Sequence, residues 1–151
     1  MQPTKKKENF KHIYKIRVRL YEVDILQIVN NAVYFSYFEQ ARMQYAKAAG
    51  LFPEKNIFSP DNAYYMVHNE INYLKPAFFD DELNIYTRIS YIKHSSFGFE
   101  HIVENASNGK ILAEGGGVSV HVNPLKKKSA PLTEEFITKV KAFEPKVKLL
   151  R

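Results

Sequence analysis

The chain has 151 residues, room for one ordinary domain with its own core. It contains no cysteine, which excludes a disulfide framework, a thiol nucleophile and a Cys-ligated metal site. Its net charge of +6 is unevenly spread: residues 1–20 carry +6, residues 21–125 carry −5 and residues 126–151 carry +5. Basic ends around an acidic middle are not the pattern of a nucleic-acid reader, whose cations run through its recognition elements. They fit solvated termini or a local site for an anionic ligand. No apolar run approaches the ~20 residues that a membrane helix needs, and no hydrophobic stretch follows the start MQPTKKK as a secretory signal would. The expectation is a soluble cytoplasmic protein with neither a membrane nor a nucleic-acid partner.

Residues 1–11 are lysine-rich and aperiodic, and they predict a flexible basic arm. From His12, Tyr14, Ile16, Val18 and Leu20 alternate with Lys15, Arg17 and Arg19, the period of a strand with one buried face. The alternation breaks over residues 21–31, where Asn30 and Asn31 are good helix N-caps. Residues 32–49 predict a helix with Tyr34, Phe38, Ala41, Tyr45 and Ala48 on one face. Gly50 suits the position just past its end, and Pro53 bars extension.

Four strand-like runs follow, over residues 64–74, 82–91, 96–104 and 110–122. Lys75-Pro76 ends the first, Asn108-Gly109 marks a tight turn before the last, and Pro124 closes it. Thr133 is placed to cap a short helix with Phe136, Ile137, Val140 and Phe143 on one face. Short connections make the last strands antiparallel. The expected architecture is α+β: one long apolar helix wrapped by an antiparallel sheet of about five strands, with a short C-terminal helix. One domain spans residues 12–125, and residues 126–151 form a basic C-terminal segment.

Asp24 stands out because it lies just before a helix N-terminus. Free N–H groups and partial positive charge there suit a developing oxyanion, and a neighbouring carboxylate can act as nucleophile or as general base on water. The same residue also fits a plain turn cap. Glu39 and Arg42 are spaced as an i, i+3 surface ion pair, with Glu39 as a second carboxylate only if it faces a cavity. His68 and Glu70 share a strand face. None of the five histidines has metal-ligand spacing, so neither a metal nor a cofactor is called for. Gly115 to Gly117 has no GK[ST] after it. Such glycines in a strand allow a bulge or a close backbone approach, letting the sheet curve over the helix. The lysines 126–128 are either solvated or hold a phosphate.

The run from Arg19 to Asp24 (RLYEVD), then Val29 to Tyr34 (VNNAVY) and Tyr37 to Arg42 (YFEQAR), resembles the hotdog-fold acyl-CoA thioesterases of the 4-hydroxybenzoyl-CoA thioesterase type. Tyr73 to Ala77 and Lys93 to Phe97 are looser matches, and together the likeness covers about residues 12–125. The resemblance implies a hotdog fold, a homodimer or homotetramer with sites between subunits, and hydrolysis of acyl-CoA or acyl-carrier thioesters without a cofactor. It implies Asp24 as the catalytic carboxylate, with Asn31, and the backbone N–H groups of Asn31 and Ala32 as oxyanion donors. It places Tyr34 and Phe38 in the acyl pocket, and Lys93, Ser95, Ser96 and Lys126 against the CoA phosphates. The chain departs from the pattern at Gln27 and Ile28, where many relatives have glycine and histidine. Asn31 also stands where some have histidine, so Asp24 acts without a histidine base. The alternative is a hotdog module that binds an acyl thioester without cleaving it.

Overall fold

A computed structural model describes residues 2–52 and 63–151. Pro53, expected to bar the helix, lies outside them. Strand β1 (His12–Arg17) leads through a 3-10 turn (Leu20–Glu22) to the long helix α1 (Val33–Ala48). Strands β2 (Tyr64–Tyr73), β3 (Glu82–Ile92), β4 (Ser96–Asn105) and β5 (Ile111–Asn123) follow. The short strand β6 (Lys128–Ser129), helix α2 (Glu134–Phe143) and short strand β7 (Lys148–Leu149) complete the order. The five long strands lie in the order β1-β3-β4-β5-β2, all antiparallel. The expected boundaries hold to within a residue or two for β2 to β5 and for both helices.

The alternation in β1 ends earlier than expected. Val18 is buried, its N–H donating to the Asp81 carbonyl, but Leu20 is 71% exposed. The chain turns here because the Glu22 side chain takes the Arg19 N–H at 2.8 Å. At the start of α1 neither asparagine caps the helix: Ala32 is the N-cap residue, with no side-chain cap bond. Instead Asn30 Oδ1 accepts from the Ala32 N–H at 2.9 Å, an Asx turn that leads into the helix. At the other end Gly50 has φ +71°, and the Leu51 N–H reaches back to the Ala46 carbonyl at 2.9 Å, closing the helix as expected.

Helix α1 lies in the concave face of the sheet. Tyr34, Tyr37, Phe38 and Ala41 form one core with Leu83, Ile85, Val103, Leu112 and Ala113. A Cβ on Gly115 would lie 2.6 Å from the Phe38 ring and 2.7 Å from the Glu70 carbonyl, so the bare backbone admits the helix here. Helix α2, capped by Thr133 Oγ1 on the Phe136 N–H at 3.1 Å, packs Phe136, Ile137 and Val140 on Tyr45, Ile89, Ile92 and Phe99. The C-terminal helix thus shares the core of the domain that precedes it. Strand β7 runs parallel to the end of β3, pairing Lys148 with Tyr91 and Leu149 with Ile92.

The N-terminal residues lie against the convex face of the sheet, where the sequence suggested a free arm. The Thr4 N–H and hydroxyl and the Lys5 N–H all donate to the Glu114 carboxylate, at 2.7, 2.9 and 2.7 Å. Lys7 pairs with Glu104, and Phe10 packs on Tyr86 and Ile102. The arm thus satisfies two glutamates that the sheet buries, Glu104 by an ion pair with Lys7 and Glu114 by neutral donors of Thr4 and Lys5.

Candidate active site

Asp24 sits in a tight hairpin turn pinned by a Val23–Val29 bridge. Its N–H donates to the Ile28 carbonyl, and its own carbonyl accepts from the Gln27 N–H, both at 2.9 Å. The carboxylate is exposed: Oδ1 accepts the Leu26 N–H at 2.8 Å, and Oδ2 has no partner among the described residues. Asp24 is therefore a turn cap, the plainer of its two expected roles, with one oxygen left open among the described residues.

Gln27 has φ +64°, in the left-handed region that suits glycine. This glutamine thus takes a backbone conformation that suits glycine. Its carbonyl accepts the Phe79 N–H at 3.1 Å, and Ile28 bridges to Phe78. These bonds hold the turn against the segment between β2 and β3.

Val29 and Asn30 carry the chain from this turn to α1. The Asn31 N–H has no partner among the described residues, while the Asn31 carbonyl accepts the Tyr73 hydroxyl at 2.7 Å. Ala32 differs from expectation: its N–H is already taken by Asn30 Oδ1. Tyr34 and Phe38 also differ. They are 2% and 0% exposed and belong to the core, so neither offers a wall to a ligand. Burial pushes the Tyr34 hydroxyl up to about 12, and Phe38 lies on His101. Glu39 is exposed and forms no ion pair with Arg42 among the described residues. Arg42 instead lies 5.8 Å from the Phe99 ring, and burial lowers its basicity. His68 and Glu70 do meet, 3.9 Å apart, both exposed.

The residues assigned to CoA phosphates form a second group. Lys93 opens the β3–β4 turn, its N–H on the Ser96 carbonyl at 2.7 Å, and the Ser95 carbonyl accepts the His121 N–H at 2.8 Å. Lys126, in the β5–β6 turn, is exposed, with its N–H on Asn123 Oδ1 at 3.1 Å. This group lies at the far end of β3 from the Asp24 turn, roughly 30 Å along the strand at about 3.3 Å per residue. One chain therefore does not bring the carboxylate and the lysines together. A cleft of about 230 Å³ between the arm and the C-terminal segment, lined in part by Phe10, Lys11, Arg88, Phe143 and Glu144, contains none of the candidate residues.

The sequence reading missed Glu22, Tyr37 and Tyr73. All three are polar groups bonded around the Asp24 turn and the start of α1. Glu22 stood only within a matching motif and Tyr37 only there and as an aromatic off the helix stripe; the signal was their spacing, Glu22 two residues before Asp24 and Tyr37 one turn into the helix.

The turn is also apolar for an exposed surface. Leu20, Tyr21, Ile25 and Leu26 are 71, 77, 97 and 72% exposed, with Phe78 and Phe79 beside them about half exposed. Strand β2 pairs only with β5 among the described strands, and it shows Tyr65 and Val67 at the sheet edge.

A long helix held in a curled antiparallel sheet of five long strands defines a hotdog-fold protein. The chain belongs to the thioesterase-like superfamily, whose sequence profile matches residues 18–140. It is similar to the acyl-CoA thioester hydrolase YbgC of Escherichia coli O6:H1, 27% identical over 128 residues that cover 85% of this chain and 94% of that one. It is 28% identical to the long-chain acyl-CoA thioesterase FadM of Escherichia coli K12 over 100 residues, 66% of this chain and 74% of that one. Among solved structures, a thioesterase of Thermus thermophilus complexed with coenzyme A and Zn superposes with a TM-score of 0.78 at 30% identity, covering 91% of this chain and 98% of that one. Among the described residues no group of three or more His, Asp or Glu converges as metal ligands, and no helix is long and apolar enough to cross a membrane.

Proposed function

We propose that this chain hydrolyses acyl-CoA thioesters, with Asp24 as the catalytic carboxylate. The observation that carries the reading is the exposed Asp24 carboxylate, with one oxygen open among the described residues, in the turn that leads to the unpaired Asn31 N–H before α1, in a chain of the thioesterase-like superfamily. The relatives named for acyl-CoA hydrolysis, and the solved relative with coenzyme A, support that substrate class. The Asn31 N–H polarises the thioester carbonyl. Asp24 then takes a proton from a water that adds to the carbonyl carbon, and the C–S bond breaks to give the acid and a CoA thiolate that receives that proton. Alternatively, Asp24 adds to the carbon itself and expels the CoA thiolate, leaving a mixed anhydride that water cleaves to the acid and free Asp24. The Ala32 N–H joins as a donor only if Asn30 lets it go.

The chain acts as a homo-oligomer. Asp24 and the Lys93, Ser95, Ser96 and Lys126 group lie at opposite ends of one sheet, so a second copy supplies the phosphate contacts to the first copy's carboxylate. The exposed apolar turn and the open β2 edge are the surfaces a second copy would cover.

Short, long and aromatic acyl-CoAs, assayed by release of free thiol, test this reading with the parent chain and Asp24→Asn. Loss of general-base chemistry lowers kcat by about 10²–10⁴-fold. An unchanged rate removes Asp24 from the mechanism. Binding of acyl-CoA with no hydrolysis by the parent chain replaces the reading with an acyl-thioester-binding module.

A further inference from the structure

The Asp24 carboxylate is exposed and makes a single bond, to the N–H of a residue in its own turn. Its side-chain contacts do not fix where it stands relative to α1. That falls to the backbone on either side of it, and the buried anchor there is Glu22, 6% exposed. The Glu22 Oε1 accepts the Arg19 N–H at 2.8 Å and the Tyr37 hydroxyl at 3.0 Å, and Oε2 lies 3.9 Å from the Arg19 guanidinium. The Glu22 carbonyl accepts the Asn30 N–H at 3.0 Å. One residue thus joins the end of the β1 segment, the Asp24 hairpin, the approach to α1 and a buried residue of α1.

We propose that Glu22, held by Tyr37, is the positioning residue that fixes the Asp24 carboxylate against the N-terminus of α1. The inference rests on the reading of Asp24 as the catalytic carboxylate. Burial, and then the bond to Glu22, raise the Tyr37 hydroxyl well above its ordinary range, so it stays a donor throughout the working pH range. A misplacement of about 1 Å between a catalytic group and its partner costs about 10²-fold in rate. Loss of one of the two bonds on Glu22 Oε1 leaves the other in place and permits a smaller shift.

The same helix carries its own control. Tyr45, further along α1, donates to the buried Glu144 Oε2, also at 3.0 Å, and accepts the Ile89 N–H at 3.3 Å. Tyr37→Phe and Tyr45→Phe therefore remove the same kind of bond from the same helix, and Tyr45→Phe is at least as costly to the fold. With the full chain, Tyr37→Phe is expected to lower kcat about tenfold with KM little changed. Tyr45→Phe is expected to stay within about twofold while its melting temperature falls as much or more. Glu22→Gln keeps an acceptor for Tyr37 and retains most of kcat, whereas Glu22→Leu does not. This Glu22 pair carries the test if Tyr37→Phe fails to fold.

Equal kcat in the two Phe variants overturns the proposal, as does a Tyr37→Phe loss confined to KM. Full activity in Glu22→Leu also overturns it. An inactive Asp24→Asn beside a fully active Tyr37→Phe removes this inference and leaves the proposed function standing. A fully active Asp24→Asn removes both.

Discussion

The Phe38 ring lies flat on the His101 ring, with centroids 4.3 Å apart and planes 9° from parallel. The stack seats α1 on β4 and leaves His101 wholly buried. The His101 Nδ1 meets Thr87 Oγ1 at 3.0 Å, and Nε2 has no partner among the described residues. Burial first, and the nearby Arg42 charge second, hold the imidazole well below its ordinary value. His101 is therefore neutral in the folded chain at physiological pH.

A neutral buried histidine makes stability depend on pH. The unfolded chain protonates this group near its ordinary value of 6.5, and the folded chain does so only at lower pH. The contribution is complete above about 6.5 and is lost as pH falls through the window below it. His12, lowered by burial, adds in the same direction. Denaturant titrations from pH 8 to pH 5 are expected to show stability falling below about 6.5, by at most about 1.4 kcal/mol per pH unit for each such proton. A His101 ring resonance that titrates near 6.5 contradicts this account.

Gln27 in a left-handed conformation carries a backbone cost of roughly 1–2 kcal/mol that glycine escapes. Gln27→Gly is expected to stabilise the chain by about 1 kcal/mol, seen as a melting temperature raised by about 2–4 °C. The gain is limited because glycine also frees the unfolded chain. A lower melting temperature would mean that the glutamine side chain makes contacts that outweigh the strain.

The arm is held by charge at both ends of the pH scale. Burial pulls the Glu104 carboxyl upward, but hydrogen bonds from Asn84, Lys7 and Tyr86 leave it below its ordinary value. The bond to Glu104 raises Lys7 in turn. The glutamate's contribution is present above its unfolded value near 4.5 and disappears as pH falls through the lower folded value. The lysine's contribution is present below 10.5 and disappears as pH rises through its raised folded value. Hydrogen exchange of the Thr4 and Lys5 amides, corrected for intrinsic rates, is expected to show protection at neutral pH that falls at acid pH. Lys7→Ala should bring that loss on at neutral pH. Unchanged protection in Lys7→Ala would show that the pair does not hold the arm.

Much of the fold was legible because local periodicity carried it. The alternation within 82–92 and the stripe from Tyr34 to Tyr45 report burial directly, and Gly115 reports close approach through the side chain it lacks. The arm was not legible, since Lys7 finds its partner 97 positions away and Thr4 finds its own 110 away. No window of sequence holds both halves of such a contact. The stripe marked Tyr34 and Phe38 as a buried helix face, and it was the family resemblance, not the stripe, that assigned them to a pocket. Asp24 was noticeable from its place before a helix, and the structure shows it as an exposed turn carboxylate. Glu22 was not, because its role depends on Tyr37 fifteen positions on. The bond on the Ala32 N–H was not legible, because a free N–H at a helix start is a default that a neighbouring side chain, here Asn30, overrides.

The outer edge of β3 is completed from both directions along the chain: residues 12–17 pair with its first half, and Lys148 and Leu149 pair with its end. During synthesis β1 emerges first and waits for β3, more than sixty residues later. The last two positions on that edge stay open until Lys148 and Leu149 have left the ribosome. The end of that rim is thus the last part of the sheet to find its partner, after β4, β5 and α2 have all been made, whatever the speed of the steps before it.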